Sequence, residues 1–156
     1  MRDGLTRDAM RRLIETYFEG CSEADHDKMV ACFVPDAVHY FPPGMYGGPF
    51  VGAEAIAERW AAAVATLGSC WTVDSFVGDP EIGEAVIEWT HFKQLTGTML
   101  RGIEWYRFDI ESGLISEIRA YYASPQDPTL SALELGGFDY EGRGYPLEAP
   151  AAYRRR

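Results

Sequence analysis

The chain has 156 residues, 47% of them hydrophobic and 13% aromatic, and 24 acidic side chains against 14 basic ones. This length allows one domain with a substantial core, but not two. The net charge of −10 argues against nucleic acid as a partner. No apolar run approaches the roughly 18 residues of a membrane span. We therefore expect a soluble, cytoplasmic protein that binds neither nucleic acid nor membranes.

The cysteines do not indicate a disulfide framework or a metal site. Cys21, Cys32 and Cys70 are odd in number and show neither CxxC nor cysteine/histidine ligand spacing. The acidic residues are scattered singly rather than grouped as a ligand set. The sequence therefore predicts no metal and no cofactor.

The first two helices are predicted from apolar periodicity. Residues 6–20 place apolar side chains at helical spacing, with Thr6 or Asp8 available as a cap and Gly20 as a stop. A shorter helix fits residues 25–34. The chain is then expected to break at the following proline.

A short strand and a third helix follow. Residues 38–41 have strand character, and the glycine-rich stretch after them predicts a flexible loop. An alanine-rich helix then fits residues 53–67, between Gly52 and Gly68.

Beyond Gly68 the apolar period changes from 3.6 to 2, which predicts strands. The links between these segments are short and turn-like, which favours an antiparallel meander. Residues 125–156 gain proline and glycine and form a predicted tail. The four predicted strands are SCWTVDSFVG, EAVIEWTHFKQL, TMLRGIEWYRFDI and GLISEIRAYYA.

Three segments resemble the SnoaL-like and ketosteroid-isomerase-like branch of the NTF2-like superfamily: "TYFEGCSEADHDKMVACFVPDAVHYFPP", "FVGAEAIAERW" and "EWYRFDIESGLISEIRAYYA". The resemblance covers residues 8–124. It implies an α+β, cone-shaped fold in which three N-terminal helices pack on a curved antiparallel sheet and enclose an apolar pocket. We expect this domain at 1–124, with the tail 125–156 packed on the body or on a dimer partner. The resemblance also implies a homodimer through the convex sheet face.

The resemblance supplies candidate site residues. The tyrosine of the isomerase oxyanion hole matches Tyr17, and its protonated acid matches Glu104. The isomerase base position falls on Phe41, which cannot take a proton. The strand-end aspartate of the related cyclases and epoxide hydrolases falls on Ala120. The substrate and the reaction type must therefore be argued from the remaining polar groups.

The first candidate for a base is His39, because alternation along a strand places it on the same face as Phe41. An imidazole can take or give a proton near neutral pH. The alternative is a histidine at a strand edge or one hydrogen-bonded in the core. Glu104 would stay protonated and donate a hydrogen bond, or instead face solvent or pair with Arg101 or Arg119.

Tyr17 has two interpretations: a hydroxyl that reaches into the pocket, or a core aromatic. His91 also stays open, because the predicted turn at 96–97 pairs residue 89 or 90 with Glu104 and a slip of one residue reverses its direction. A pair of His39 and His91 in the pocket would resemble the superfamily's dehydratases. The expected substrate-binding residues are Phe41, Tyr46, Trp60, Trp89, His91, Ile118, Ala120 and Tyr122.

Two functions are compatible with this set. The first is a cofactor-free acid/base enzyme of the isomerase, dehydratase or polyketide-cyclase type, acting on a small, largely apolar carbonyl, enol or hydroxy compound. His39 would be its base, with Tyr17 and Glu104 stabilising oxyanion charge. The second is a hydrophobic-ligand-binding or assembly module without turnover.

Overall fold

The computed structural model describes residues 4–42, 45–122, 141–142 and 144–155. The helices over these ranges are α1 (Arg7–Glu23), α2 (His26–Val30) and α3 (Ala53–Leu67), and a 3-10 turn spans Ala151–Tyr153. The strands are β1 (Phe33–Tyr40), β2 (Phe50–Val51), β3 (Ser69–Asp79), β4 (Glu84–Lys93), β5 (Thr98–Phe108) and β6 (Ile115–Tyr121). None of these helices is both long and apolar enough to cross a membrane.

Helix α1 begins as predicted and ends later than predicted. The Thr6 hydroxyl caps it by accepting a hydrogen bond of 3.1 Å from the Ala9 amide. Gly20 was expected to stop the helix, but α1 runs on to Glu23. A Cβ at Gly20 would lie 3.0 Å from Met29 Cγ. Gly20 thus allows close packing on α2 rather than terminating α1.

Helix α2 is shorter than the predicted 25–34. The chain leaves it at Val30, and Phe33 already begins β1. The Ile115 amide donates to the Cys32 carbonyl at 3.0 Å, so pairing with β6 draws this segment into the sheet. The predicted break at the proline is also wrong, because Pro35 lies inside β1, where the register with β6 is interrupted. A proline lacks the amide that a regular ladder needs.

Helix α3 and the four-stranded meander are confirmed. Gly52 and Gly68 flank α3 with φ of 95° and 64°, values that only glycine adopts at little cost. Strands β3, β4, β5 and β6 pair in sequence, each antiparallel to the next. The period-2 pattern and the short turns account for this part of the fold.

The sheet has the order β2-β1-β6-β5-β4-β3 and is mixed rather than wholly antiparallel. Strand β1 lies parallel to β6, and the short β2, which was not predicted, adds antiparallel to the outer edge of β1. The C-terminal ends of β1 and β6 therefore lie on the same side of the molecule. This parallel pairing places the first strand next to the last one, with β5 on the far side of β6.

The register fixes which side chains point inward. Ile87, not residue 89 or 90, pairs with Glu104, because the turn includes Gln94 and Leu95 as well as the expected residues. Residue 89, one of the two predicted partners of Glu104, is two positions from the observed partner Ile87. A shift of two residues leaves every side chain of β4 on the same face of the sheet. Trp89 and His91 therefore share the concave face with Glu104.

Helices α1 and α3 cover the concave face, and residues 144–155 lie on part of the convex face. There Tyr153 and Ala149 pack in a small cluster with Phe92. Arg101 donates to the Pro146 carbonyl at 2.9 Å. The division into a domain at 1–124 and a tail at 125–156 stays a prediction, since residues 123–140 lie outside the described part.

Candidate functional site

A cavity of about 30 Å³ lies between the helices and the concave face of the sheet. Most of its wall is aromatic, and Glu104 contributes the carboxylate. The lining comes from α1, α3, strands β3 to β6, and the segment before β2. The lining side chains are Tyr17, Phe18, Cys21, Phe41, Tyr46, Trp60, Trp71, Trp89, His91, Leu100, Glu104, Ala120 and Tyr122.

Glu104 points from the middle of β5 into this cavity and is only 6% exposed. The Tyr106 hydroxyl, two residues along the same strand, donates to Glu104 Oε2 at 2.5 Å. Arg101 is an odd number of residues from Glu104 on β5, and Arg119 pairs with Trp105, the neighbour of Glu104. Both arginines therefore lie on the convex face of the sheet, opposite Glu104. The alternative in which Glu104 pairs with an arginine or faces solvent is therefore wrong.

His39 lies behind Glu104 rather than on the cavity wall. Its side chain is completely buried, and its Nε2 is 3.5 Å from Glu104 Oε1. Its Nδ1 is 3.3 Å from the Tyr40 carbonyl oxygen, and its ring stacks on Phe41 with centroids 4.2 Å apart. The alternative of a half-exposed histidine is excluded. The structure matches the other alternative, a histidine hydrogen-bonded in the core, and Glu104 and Phe41 lie between its ring and the cavity.

The two contacts of His39 limit where its protons lie. A carbonyl oxygen only accepts, so the hydrogen bond to Tyr40 requires a proton on Nδ1. Between Nε2 and Glu104 Oε1 there is then room for one proton, which belongs either to an imidazolium or to a neutral carboxyl. Nε2 makes no hydrogen bond to the described residues, and its 3.5 Å contact with Glu104 Oε1 is the place where the two groups can exchange a proton.

Tyr17 is buried in α1, with its hydroxyl at the cavity wall. Trp60 Nε1 donates to the Tyr17 oxygen at 2.6 Å. Burial raises the pKa of Tyr17 well above its ordinary value, and the nearby Cys21 and Glu104 act in the same direction. The phenol therefore stays protonated. It can donate to a charge that develops nearby but does not act as a base.

His91 faces inward, but it is separated from His39. Its ring stacks on Trp71 with centroids 4.5 Å apart, and its Nε2 is 2.7 Å from Ser69 Oγ. Burial lowers the pKa of His91 to about 3, and Lys93 adds to this shift. His91 is therefore neutral. Trp60 and Trp71 lie between the two histidines, so they do not form a pair.

The predicted apolar lining is largely on the cavity wall. Phe41, Tyr46, Trp89, Ala120 and Tyr122 all line it, as do Trp60 and His91. The exception is Ile118. It pairs with Tyr106 and is completely buried within the core, below the cavity floor rather than on it.

Some residues of the site were not predicted from the sequence, among them Cys21 and Trp71, which line the cavity, and Tyr106, which donates to Glu104. Tyr106 follows Glu104 by two positions, so strand alternation alone would have placed it on the same face. Cys21 follows Tyr17 by one helical turn, so helical spacing alone would have placed it on the same face of α1. Trp71 could be assigned only from the pairing of β3 with β4, which the sequence left open.

A metal site finds no support in the geometry. Within the described ranges, no three histidine, cysteine, aspartate or glutamate side chains come together closely enough to hold an ion. The polar groups at the cavity are one carboxylate, phenols, indoles, a thiol and a neutral imidazole.

The chain is similar over almost its whole length to a solved structure. This is a protein of unknown function with a cystatin-like fold from Methylobium petroleophilum, 58% identical, with 99% of each chain covered and a TM-score of 0.77. No protein in the curated set matches the chain significantly in sequence.

More distant structures share the fold alone. A Mycobacterium tuberculosis protein solved with estradiol-17β-hemisuccinate is 17% identical, with 74% of this chain and 94% of that one covered and a TM-score of 0.62. A candidate polyketide cyclase from Sinorhizobium meliloti is 19% identical, with 70% and 94% covered and a TM-score of 0.58.

The helices on a curved sheet correspond to the NTF2-like fold, as the resemblance implied. The family model described as "SnoaL-like domain" matches residues 14–118, which is most of the chain. It includes the second half of α1, all of β1 and α3, and the strands that bear Glu104 and His91. The chain therefore belongs to the SnoaL-like domain family.

Proposed function

We propose that this protein is a cofactor-free acid/base enzyme that acts on a small, largely apolar carbonyl, enol or hydroxy compound. The reaction would be of the isomerase, dehydratase or polyketide-cyclase type. The observation that carries the proposal is Glu104, a carboxylate in an aromatic cavity that has a hydrogen bond from Tyr106 and His39 behind it. In an apolar cavity, a carboxylate interacts with a bound ligand more strongly than it would in water.

The roles differ from those expected from sequence. Glu104 would be the catalytic residue that exchanges a proton with the ligand, because it lines the cavity. His39 would be a positioning residue that shares a proton with Glu104 from the other side. Tyr17 would donate to the oxyanion as charge develops, held in place by Trp60.

The chemistry of the cavity supports an apolar ligand. Its free volume of about 30 Å³ holds no more than a few water molecules, so a ligand must move lining side chains aside to enter. The ring faces of Trp60, Trp71 and Trp89 offer stacking surfaces to a flat, unsaturated molecule. The steroid ester bound by the distant mycobacterial protein is a ligand of this class.

Proton exchange tests the proposal without knowledge of the natural substrate. Ring ketones such as tetralone would be incubated with the protein in D₂O, and loss of the proton next to the carbonyl would be followed by NMR. We expect Glu104→Gln and His39→Ala each to slow exchange by about 100-fold or more. Glu58→Gln, an exposed glutamate on α3, is the matched control and should leave the rate unchanged.

Unchanged exchange in both variants would refute the enzyme proposal, provided that circular dichroism shows both to be folded. His39→Gln adds a readout specific to positioning. It should change the pH dependence of exchange, whereas a histidine with only a packing role would change the rate uniformly across pH.

A ligand-binding module without turnover is the second candidate. Phe41 and Ala120 favour it, since both line the cavity at positions where related enzymes carry carboxylates. It predicts a ligand affinity that is insensitive to pH between about 5 and 8. Burial keeps His91 neutral in that window.

The homodimer implied by the resemblance remains part of this proposal. The convex face not covered by residues 144–155 exposes Trp105, Tyr121 and Tyr40, which are 37%, 55% and 43% exposed. A second copy packed there would bury these aromatic rings. Sedimentation of the wild type and of Tyr121→Glu tests it: a dimer that the variant dissociates supports the assignment, and a monomeric wild type ends it.

A further inference from the structure

The cavity beside Glu104 is too small in this structure to hold an organic ligand, and one residue of its wall also faces solvent. Its free volume of about 30 Å³ has room for no more than a few water molecules. Among the described residues that line it, Tyr46 is the exposed one, at 43%, and the others are buried or half-buried. At Tyr46 the wall between the cavity and solvent is therefore a single side chain.

The Tyr46 ring lies on a group of aromatic side chains. Its centroid is 4.7 Å from that of Phe41, 5.2 Å from that of Phe50 and 6.2 Å from that of Trp60. Burial raises the pKa of Tyr46 and of Tyr122, and a hydrogen bond links their two hydroxyls. One side of the ring is thus packed as a core aromatic is, while the other side faces solvent.

The backbone that carries this ring is strained and weakly held. Tyr46 lies in the loop between β1 and β2 with a φ of 55°, a left-handed conformation that a residue with a bulky side chain adopts only at a cost. Gly47 and Gly48 follow with φ of 72° and 129°, and an added Cβ at either would meet nothing of the described chain within 4 Å. The turn bonds are long: 3.2 Å from the Met45 amide to the Pro42 carbonyl, and 3.3 Å from the Gly48 amide to the Met45 carbonyl.

The large side chains elsewhere on the wall are held by regular structure. Trp60 lies on α3, and Trp71 and Trp89 lie within strands β3 and β4. Turning one of these indoles away from the cavity would displace its neighbours in the close-packed core. Strained backbone of the kind found at Tyr46 is concentrated at ligand clamps and switch regions. Tyr46 is therefore the lining residue that can leave the wall with the least loss of packing.

We infer that Tyr46 is the gate of the ligand site. Its ring turns away from Phe41, Phe50 and Trp60, and the flat apolar body of the ligand takes its place against these rings. The inference rests on the proposed function only in taking the cavity as a ligand site, not in requiring turnover. Because the ligand occupies the space that the ring leaves, Tyr46 does not close again over a bound ligand.

Gating by Tyr46 has a measurable consequence for binding. The open form is the minor one, since the closed form keeps three ring contacts and a hydrogen bond. Only the open form accepts a ligand, so the association rate and the affinity are both reduced by the fraction of molecules that are open. A minor form of this kind is typically populated at about 10% or less. A variant without the ring is open all the time.

Stopped-flow association of 2-naphthol, followed by tryptophan fluorescence, tests this inference with a flat phenol like the ring it would replace. For Tyr46→Ala we expect the association rate constant and the affinity to rise by about tenfold or more, with the dissociation rate constant within about twofold of the wild-type value. Tyr46→Phe keeps the ring and loses the hydroxyl, so its association rate should lie between the two.

Tyr40→Ala is the matched control. Tyr40 is also 43% exposed, but it is not among the residues that line the cavity, so its removal should change neither rate constant. The comparison separates the loss of a gate from the loss of an exposed aromatic ring.

Four results would overturn the inference: equal association rates in Tyr46→Ala and the wild type, an equal acceleration in Tyr40→Ala, a dissociation that speeds up as much as association, or no binding of 2-naphthol to Tyr46→Ala. The test is separate from that of the enzyme proposal. If Glu104→Gln exchanges ketone protons as fast as the wild type, the acid/base assignment fails while Tyr46→Ala can still bind 2-naphthol faster.

Discussion

His39 and Glu104 face each other inside the fold, with Nε2 of the imidazole 3.5 Å from Oε1 of the carboxylate. They come from strands that are not neighbours, β1 and β5, and β6 runs between them. In β6, Ile118 pairs with His39 and Ala120 pairs with Glu104. The small side chain of Ala120 leaves space on the floor where a larger residue would fill it. The contact therefore depends on the parallel pairing of β1 with β6.

The first prediction concerns the free energy of unfolding of this pair. Removing one partner leaves the other buried and less satisfied, so the effects of His39→Gln and Glu104→Gln should not add. We expect a coupling of about 1–3 kcal/mol in a double-mutant cycle measured by urea denaturation. The pair of Glu58→Gln with His39→Gln is the control and should be additive. Additivity in the His39 and Glu104 cycle would show that the two side chains do not interact.

The second prediction concerns Tyr106, which is completely buried and donates to Glu104 Oε2. Tyr106→Phe removes this donor and leaves a buried carboxylate oxygen without it. We expect a loss of about 1–3 kcal/mol in the free energy of unfolding. Tyr121→Phe, at an exposed position on β6, should change it by less than about 0.5 kcal/mol. Equal effects in the two variants would contradict the role of this hydrogen bond.

The third prediction concerns stability and pH. Burial lowers the pKa of His91 to about 3 in the folded protein, while an unfolded histidine titrates near 6.5. Between these values the unfolded state binds more protons, so stability is lost as the pH falls from about 6.5 towards 3. His91 alone makes the free energy of unfolding fall by up to about 1.4 kcal/mol for each pH unit of acidification in this range. His91→Gln should flatten this slope relative to the wild type.

His26 is the control for this measurement. It is on the surface, and hydrogen bonding to Asp27, with a further contribution from Glu54, raises its pKa. Its contribution therefore has the opposite sign: it is present at low pH and is lost as the pH rises. His26→Gln should leave the acid slope in place. An unchanged acid slope in His91→Gln would show that His91 is not buried in its neutral form.

Helix α3 and the meander follow from local signals, which is why they could be predicted. Gly52 and Gly68 mark the ends of a helix, and the period-2 segments with short turns pair with their neighbours in sequence. The boundary between α2 and β1 could not be predicted, because apolar residues such as Phe33 fit either element. It is decided by the pairing of β1 with β6, a contact between distant parts of the chain.

The sequence predicted which residues lie at the cavity better than it predicted what each of them does there. Glu104, Tyr17 and Trp60 were found through resemblance, and the structure places all three at the cavity. The position of His39 behind Glu104 could not be read from the sequence, since alternation gives the face of a strand but not its depth in the core. Ile118 was misplaced for the same reason.

The fourth prediction concerns the C-terminal segment. Gln94 Nε2 donates to the Tyr153 carbonyl at 2.6 Å, and Gln94 Oε1 accepts from the Arg155 amide at 3.1 Å. Gln94→Ala removes both contacts, so hydrogen exchange in residues 144–155 should accelerate while exchange in β5 stays unchanged. Thr96→Ala, in the same turn and exposed, is the control. Equal exchange in the Gln94 variant and the wild type would show that these bonds do not hold the segment.

The most direct test of the central claim measures binding and proton exchange together for Glu104→Gln with the ring ketone that the wild type exchanges fastest. The account predicts a Kd within about threefold of the wild-type value and an exchange rate at saturation lower by about 100-fold or more. That result would assign Glu104 to the chemistry rather than to the shape of the cavity. Exchange at the wild-type rate with the cavity saturated would contradict the account and leave a binding protein.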